Sequence, residues 1–389
     1  MSERLRSLRG PGALGWLVLA VLTLIAPLFL ESFWLQTGLF AMSAAIGAIG
    51  LTILTGTAGQ LSLAHAFYVA VGAYGYCYFA ASGDGVGVAT VSGLGLPPAL
   101  ALVLAVALAG VCGALFSPVS GRLRGIYLGI ASLGLVFIGQ HILFNATGVT
   151  GGFNGRDAQP FSLLGFSFGE PEPELVIAGV PFEELERLWY LGLVLLGVAY
   201  YYGRRLTQSR PGRALETVRD SEVAAAVMGV DVTRYKAAAF TISSMYAGLS
   251  GVLLALVFNR IVPESFGLAL SVEFLAMIVI GGLGSIRGAV LGGIFVSMLP
   301  KLMDKYSDAL PFLAQPGAGG GVEPGQAARF AFGAAIVAIL LFAPGGIGSL
   351  GRGRLRSAGA DDPAPDDTIS PAPSSPARPA PSPAKEKSA

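Results

Sequence analysis

The stretch from residue 36 to residue 55 reads QTGLFAMSAAIGAIGLTILT and contains no charged side chain. About twenty such residues in an α-helix span the hydrocarbon core of a bilayer. Similar apolar stretches recur from Leu14 to Gly348; 53% of the chain is hydrophobic and only 13% is charged. A soluble domain carries about a quarter charged residues. The sequence therefore predicts an all-α polytopic membrane protein.

Ten membrane spans account for these stretches. The apolar run at the N-terminus ends in LFLESFW instead of a small-residue cleavage site, which indicates an uncleaved span. The segment from 271 to 303 is long for one span and short for two. Two spans there keep the arginine-rich clusters on the same side of the membrane, as the positive-inside rule requires. The predicted spans are 14–30, 36–55, 61–82, 95–117, 126–144, 188–203, 237–258, 270–284, 286–303 and 327–347.

Arginine placement also sets the orientation. Arg4, Arg6 and Arg9 predict a cytoplasmic N-terminus at 1–13, followed by a transmembrane region at 14–350. Within that region, 145–187 is expected to be an extracytoplasmic loop and 204–236 a cytoplasmic one. Residues 351–389 are rich in Pro, Ala and Ser and cannot bury enough apolar surface to offset their ordering entropy. They are expected to form a disordered cytoplasmic tail, so both termini lie in the cytoplasm.

Composition and motifs argue against catalysis, metal binding and nucleic-acid binding. The net charge of +1 provides no basic surface for nucleic acid, and no lysine follows a phosphate-binding GxxxxGK[ST] frame. Cys77 and Cys112 both lie in apolar stretches without the His or Cys neighbours of a metal site. We expect no catalytic residue, metal or cofactor on this chain. If ATP drives it, another polypeptide hydrolyses that ATP.

A first glycine break, at residues 56–60, interrupts the apolar pattern within GTAGQLSLAHAFYVAVGAY (56–74). Polar Gln60, Ser62 and His65 follow Gly59 at once. A helix that starts near Gln60 would present free backbone N–H groups and the positive end of its dipole, which suit a carboxylate.

A second glycine break, at residues 281–285, lies within IGGLGSIRGAVLGG (280–293) and contains Gly281, Gly282, Gly284 and Ser285. Glycine-interrupted spans in the two halves of a transporter indicate its substrate site. Close helix packing by small residues explains the same pattern equally well. The topology puts both breaks toward the cytoplasm, which favours a gate. An ionisable residue inside a span, Glu273, is a further candidate for the pathway.

The segment RPGRALETVRDSEVAAAVMGVDVTRYK (210–236) predicts a short helix on the cytoplasmic face. Asp220 or Ser221 can cap a helix over 222–228, and Gly229 suits its C-terminus; Asp231 can cap the next helix. Val223 and Val227 give the short helix an apolar edge, with Arg219 and Glu222 as a polar rim. An ordinary solvated loop is the alternative.

Together these segments resemble the permease subunits of branched-chain amino-acid ABC importers, the LivH/LivM family. The resemblance covers roughly residues 40–350 and also includes TGGFNG at 150–155, PESFGLALSVEFLAMIVIGGLGS at 263–285 and LFAPGGIGSL at 341–350. Two positions depart from the family pattern: Ala64, where the family usually has Gly, and Gly345, where it has Arg.

The resemblance implies a multi-pass protein of a prokaryotic cell membrane with several partners. These are a second, LivH-like permease, two ATP-binding cassette subunits that hydrolyse ATP, and an extracytoplasmic substrate-binding protein. It also implies that the segment at 220–230 is a coupling helix that docks on an ATPase. Residues 210–236 are called the coupling segment below.

Three alternatives stay open. The cargo could be urea or a short amide, because importers of those solutes share much of this pattern. The chain could be a proton-coupled secondary transporter that uses Glu273 and His65. It could also be a membrane scaffold that transports nothing, although a scaffold has no need of paired glycine breaks followed by polar residues.

Overall fold

A computed structural model describes residues 22–82, 91–123, 125–163, 165–169, 176–177, 180–306, 324–342 and 346–349. The predicted N-terminal segment at 1–13, the start of the first span at 14–21 and the tail at 351–389 lie outside the described residues. The helices are α1 (Ser32–Leu51), α2 (His65–Ala80), α3 (Pro98–Arg122), α4 (Ile126–Asn145), α5 (Thr147–Thr150), α6 (Glu184–Gln208), α7 (Arg210–Asp220), α8 (Glu222–Val227), α9 (Val232–Phe258), α10 (Leu268–Gly281), α11 (Ile286–Lys305) and α12 (Pro324–Phe342).

Helix α1 forms the centre of the bundle. Every residue from Leu39 to Leu51 is buried, and α1 packs against α6, α9 and α11. Between α1 and α9 the Ser250 hydroxyl donates to the Ser43 carbonyl at 2.7 Å, and the Ser43 hydroxyl donates to the Ser250 carbonyl at 2.8 Å. Small residues and hydroxyls of this kind hold membrane helices together, because apolar burial gives no advantage inside lipid.

Five helical stretches among the described residues are long and apolar enough to cross a membrane. They are Ser32–Thr57, Pro98–Arg122, Ile126–Asn145, Val232–Phe258 and Ile286–Lys305. Helix α10 is apolar but has only 14 residues, a length of about 21 Å at 1.5 Å per residue. The predicted pair at 270–284 and 286–303 is thus two helices of unequal length, joined by the second glycine break.

The described residues are predominantly helical, as predicted, and a few very short strands accompany the helices. Short antiparallel strand pairs occur in and around the 145–187 loop: β1 (Arg156–Asp157) with β6 (Arg260–Ile261), β2 (Ser162–Leu163) with β3 (Phe166–Ser167), and β4 (Val176–Ile177) with β5 (Val180–Pro181). The β1–β6 pair ties the loop to the end of α9. Two-residue strands are too short to carry a sequence periodicity, so hydrophobic patterns do not predict them.

Candidate functional site: two glycine breaks and the coupling segment

The first glycine break ends helix α1 in an unusual way. The chain leaves α1 through a π-helical turn at Thr52–Thr57, and Gly59 then adopts a left-handed conformation with φ +69°. Residues 60–64 are not helical, and α2 begins only at His65. The predicted helix start near Gln60 is therefore wrong by five residues. π-Helical turns are rare and occur often at functional sites.

Three N–H groups just before and in the first turn of α2 are already occupied by serine hydroxyls. The Leu63 N–H donates to Ser132 Oγ at 2.8 Å, and the Ala66 N–H donates to Ser271 Oγ at 3.0 Å. The Ala64 N–H is directed to Ser62 Oγ at 3.3 Å. Because serine hydroxyls accept hydrogen bonds from these backbone N–H groups, residues 60–64 do not need helical hydrogen bonds to satisfy them. The expectation that the break offers these N–H groups to a carboxylate is accordingly wrong.

Buried polar atoms without a hydrogen-bond partner concentrate around this break. Among the described residues, such side-chain atoms belong to Thr52, Gln60, His65 and Tyr68, with Glu186 the one example elsewhere. A buried polar group left unpaired costs about 1–3 kcal/mol, so native proteins keep few of them. Four of the five residues lie within 17 positions of sequence, so the unpaired polar groups cluster at and just after this break.

Gln60 and His65 differ in their surroundings. Gln60 is 3% exposed, and both its amide nitrogen and its amide oxygen lack a partner. The His65 ring packs edge-on against Phe274 of α10, with 4.6 Å between ring centroids. Glu273 precedes Phe274 and is half-buried. Helix α2, which follows the first break, is thus in direct contact with α10.

The second glycine break is a tight turn between α10 and α11. Gly282 and Gly284 both have positive φ, +105° and +80°, where a side chain is strained. Ser285 caps α11 by accepting a hydrogen bond from the Gly288 N–H at 3.1 Å. Gly281 packs so closely on Gly288 that a Cβ on either would collide with the carbonyl of the other. The turn therefore depends on glycine both for its conformation and for its packing.

The two breaks touch each other, and Arg219 of the coupling segment joins them. A Cβ on Gly56 would collide with the backbone of Gly284. Arg219 Nη1 donates to the Gly56 carbonyl at 3.0 Å, and the Arg219 side chain packs over Gly59. This hydrogen bond spans 163 positions of sequence. Both predicted breaks and one predicted coupling residue therefore form a single site.

The coupling segment contains one more helix than the sequence suggested. Helix α7 was missed, because its apolar residues are too few for a hydropathy signal. Helix α8 runs over Glu222–Val227, one residue shorter than predicted, and Ser221 caps it by accepting from the Ala224 N–H at 3.2 Å. Asp220 is not the cap; it pairs with Arg219 at 3.0 Å.

Both predicted turns around α8 and α9 are confirmed. Gly229 has φ +82°, as its C-terminal position requires, and Asp231 Oδ1 accepts from the Arg234 N–H at 3.0 Å to cap α9. Val223 and Val227 are 72% and 84% exposed. The apolar edge of α8 thus has no cover from this chain's described residues.

Lys236 has a role that the sequence pattern did not predict. Its Nζ lies 2.5 Å from Oε1 of Glu222, and the two side chains are 5% and 24% exposed. Glu222 therefore faces the protein, so it cannot serve only as an outer rim. A signal was available: Lys236 directly precedes a predicted span, and a charge at the edge of an apolar segment requires a partner if it is buried.

Comparison with known proteins matches the sequence to a family of permeases. The family model described as "Branched-chain amino acid transport system / permease component" matches residues 34–340. The chain belongs to this permease family. Its helices and its family make it a multi-pass membrane protein, and the resemblance stated from the motifs is confirmed.

The relatives are transport permeases. The high-affinity branched-chain amino acid transport system permease protein LivM of Salmonella typhimurium is 31% identical over 278 residues, which cover 67% of this chain and 61% of the relative. LivM of Escherichia coli is 30% identical over 304 residues, which cover 75% of this chain and 68% of the relative. LivH of Salmonella typhimurium is 26% identical over 267 residues, which cover 67% of this chain and 82% of the relative. The chain thus spans about three fifths of the length of the Salmonella LivM. No solved structure matches it.

Proposed function

We propose that this chain is the permease subunit of an ABC importer and translocates branched-chain or other hydrophobic amino acids by alternating access. Separate ATPase subunits drive it, and the chain itself binds no cofactor. The family and the names of the LivM relatives support the cargo class. The observation that carries the mechanism is the hydrogen bond from Arg219 to the Gly56 carbonyl, which joins the coupling segment to both glycine breaks.

The proposed assembly contains a second, LivH-like permease, two ATP-binding cassette subunits and an extracytoplasmic substrate-binding protein, all within or against the lipid membrane. LivH relatives match this chain as well, which supports a pair of related permeases. The exposed Val223 and Val227 support α8 as the coupling helix. Two valines four residues apart on one face suit an apolar groove on a partner.

In the proposed cycle, motion of the ATPases displaces α8, and the displacement reaches the breaks through two contacts. The ion pair between Glu222 and Lys236 connects α8 to helix α9. Arg219 pulls on the Gly56 carbonyl at the point where the breaks touch. Because Gly56 and Gly284 have no side chains, their backbones can slide without a steric barrier. Gln60, Ser62, His65 and Glu273 are the proposed polar lining of the pathway, with Gly59, Gly281, Gly282 and Ser285 forming the gate.

We also propose ten spans, with both termini and the coupling segment in the cytoplasm. The described helices support this count, since each predicted span from the second onward contains one. A cysteine introduced at Asp220 should react with an impermeant maleimide only after the cytoplasmic side is exposed. Labelling in intact cells would overturn the orientation.

The decisive experiment compares Arg219→Met with Arg234→Met in the reconstituted importer. Arg219→Met removes the bond to Gly56, whereas Arg234 is an exposed cation in the first turn of α9. A hydrogen bond to a charged group contributes about 1.5–3 kcal/mol. We expect Arg219→Met to keep its ATPase subunits and to hydrolyse ATP while leucine uptake is lost. Arg234→Met should transport normally.

The same proteoliposomes separate the rival functions. Uptake of labelled leucine should require ATP and the binding protein, and unlabelled isoleucine or valine should compete with it. Competition by urea or acetamide instead would move the cargo to the amide class. Uptake driven by a proton gradient without ATP would replace the importer with a secondary transporter. Equal uptake by both arginine variants would remove the proposed coupling route.

A further inference from the structure

The C-terminal half of helix α6 carries an exposed stripe whose chemistry changes along its length. Val194 and Val198 are 62% and 46% exposed. Tyr201 is 53% exposed, and Arg205, one turn later, is exposed as well. At about 100° per residue, these four side chains lie within about 60° of one another around the helix. One face of α6 thus passes from aliphatic to aromatic to cationic side chains.

Four exposed arginines, called the arginine cluster below, lie where α6 ends and α7 begins. They are Arg204, Arg205, Arg210 and Arg213. A Cβ on Gly212 would collide with the carbonyls of Leu206 and Thr207, so the start of α7 packs directly against the end of α6. The turn between the two helices therefore places four positive charges in one region of the surface.

No carboxylate neutralises the arginine cluster among the residues that the structure describes. None of the four arginines forms an ion pair with a described Asp or Glu, and the sequence has no acidic residue from Leu188 to Leu215. Arg205 lies over the ring of Tyr201, with 5.4 Å between its Cζ and the ring centroid. Contact with a ring does not use the N–H donors of a guanidinium, so they stay available to an anion.

We propose that the arginine cluster binds the phosphate headgroup of an anionic phospholipid in the cytoplasmic leaflet, with the acyl chains along the exposed stripe of α6. The order of side chains along the stripe is the order of groups in a lipid. Valines suit acyl chains, tyrosines are enriched at the membrane interface, and arginine binds phosphate oxygens in a bidentate manner. The proposal goes beyond the proposed function and uses only its topology.

The depth of the stripe agrees with this occupant. Eleven positions separate Val194 from Arg205, a rise of about 16 Å along the helix. That is half of the ~30 Å hydrocarbon core of a bilayer. With Arg205 at headgroup level, Val194 lies near the middle of the bilayer. An acidic protein surface would pair with the arginines but would leave the tyrosines and valines without a matching partner.

A lipid held here anchors the start of the coupling segment. Arg213 and Arg219 lie six positions apart on the same helix, α7, and Arg219 donates to the Gly56 carbonyl. With its start anchored, α7 passes motion of its other end to Gly56 instead of moving as a whole. We therefore expect transport to be faster when the cytoplasmic leaflet contains anionic lipid.

Native mass spectrometry of the complete importer measures lipid binding without relying on transport. The delipidated complex is titrated with phosphatidylglycerol or with phosphatidylcholine of the same acyl chains. One arginine near an anionic headgroup contributes about fivefold in affinity, the equivalent of about 1 kcal/mol. Arg205→Gln should therefore weaken binding of phosphatidylglycerol about fivefold, and Arg204→Gln combined with Arg205→Gln about 30-fold. Binding of phosphatidylcholine should not change.

Three controls separate charge attraction by the cluster from a structural role and from other anions. Arg204→Lys combined with Arg205→Lys keeps both charges and should keep the preference for phosphatidylglycerol. Arg234→Gln removes an exposed arginine that lies outside the cluster and should have no effect. Glycerol phosphate, a headgroup without acyl chains, should not displace the lipid, because it makes no contact with the stripe.

Proteoliposomes with and without phosphatidylglycerol test the effect on transport. Uptake of labelled leucine by the wild type should be faster in vesicles that contain this lipid. The double glutamine variant should lose that gain, whereas the double lysine variant should keep it. Lipid binding without any gain in uptake would refute the anchoring of α7 and leave the binding site in place.

The other outcomes are equally distinct. Equal binding of both lipids by the wild type, or an unchanged preference in the double glutamine variant, overturns the lipid site. Loss of the preference in the double lysine variant overturns charge attraction as its basis, and displacement by glycerol phosphate replaces the lipid with a soluble anion. If the double glutamine variant loses its ATPase subunits but keeps the lipid preference, the cluster docks an ATPase instead. Lipid binding as expected, with no leucine uptake in any lipid mixture, overturns the proposed function alone.

Discussion

The ion pair between Glu222 and Lys236 should determine how firmly α8 is held. Removing one partner of a fully buried ion pair costs about 3–5 kcal/mol, because a charge is left unpaired. A fully exposed pair contributes about 0–1 kcal/mol. Lys236 is 5% exposed and Glu222 is 24% exposed. The burial of this pair lies between the two limits, so we expect Glu222→Gln to destabilise the folded position of α8 by about 2 kcal/mol.

Hydrogen exchange on the complete complex measures this cost locally. If the substitution lowers the free energy of local unfolding of α8 by about 2 kcal/mol, the amides of α8 should exchange roughly 30-fold faster. Exchange in α2 should not change. Glu216→Gln is the control, since Glu216 is an exposed carboxylate on the neighbouring helix α7. Adding Lys236→Met to Glu222→Gln should restore most of the protection, because no buried charge then remains unpaired.

Two results would refute this reasoning. If Glu222→Gln exchanges no faster than Glu216→Gln, the pair does not hold α8. If the double variant exchanges at the rate expected from adding both single effects, the two side chains are independent despite their short distance. In either case the ion pair would drop out of the proposed coupling route, which would then depend on the hydrogen bond from Arg219 to Gly56.

Three further predictions follow from the glycines and the tail. Gly56→Ala should lower uptake by about tenfold or more, because its Cβ collides with the Gly284 backbone and overpacking costs about 1–3 kcal/mol; uptake assays compare it with Gly134→Ala, where a Cβ meets open space. Gly229→Val should weaken co-purification of the ATPases, since a side chain at φ +82° costs about 1–2 kcal/mol; normal retention would mean that α8 is not the element that docks the ATPases. Truncation after Ser357 should leave assembly and uptake unchanged, and loss of either would make the tail a partner-binding element.

Local features of the site could be predicted from the sequence. The cap at Ser221, the left-handed Gly229 and the cap at Asp231 each depend on residues within four positions, and capping preferences identify them. Both glycine breaks could be located for the same reason. Their immediate sequence interrupts an apolar pattern, and nothing distant is needed to see it.

Long-range features could not be predicted in this way. The start of α2 was wrong because it depends on hydroxyls from Ser132 and Ser271, which lie 69 and 205 positions away along the chain. The bond from Arg219 to Gly56 joins segments that no periodicity connects. The contact between Gly56 and Gly284 is equally hidden, because two glycines carry no side-chain pattern to pair.

The π-helical turn at Thr52–Thr57 restricts how the length of the chain can vary. Its i→i+5 hydrogen bonds enclose one more residue than those of an α-helix. Deleting one residue between Leu51 and Gly59 would restore α geometry and rotate all that follows by about 100°, with a shift of about 1.5 Å. Gly56 would then no longer lie against the backbone of Gly284. We therefore expect insertions and deletions among homologues to accumulate in the 145–187 loop, while the residue count across this turn stays constant.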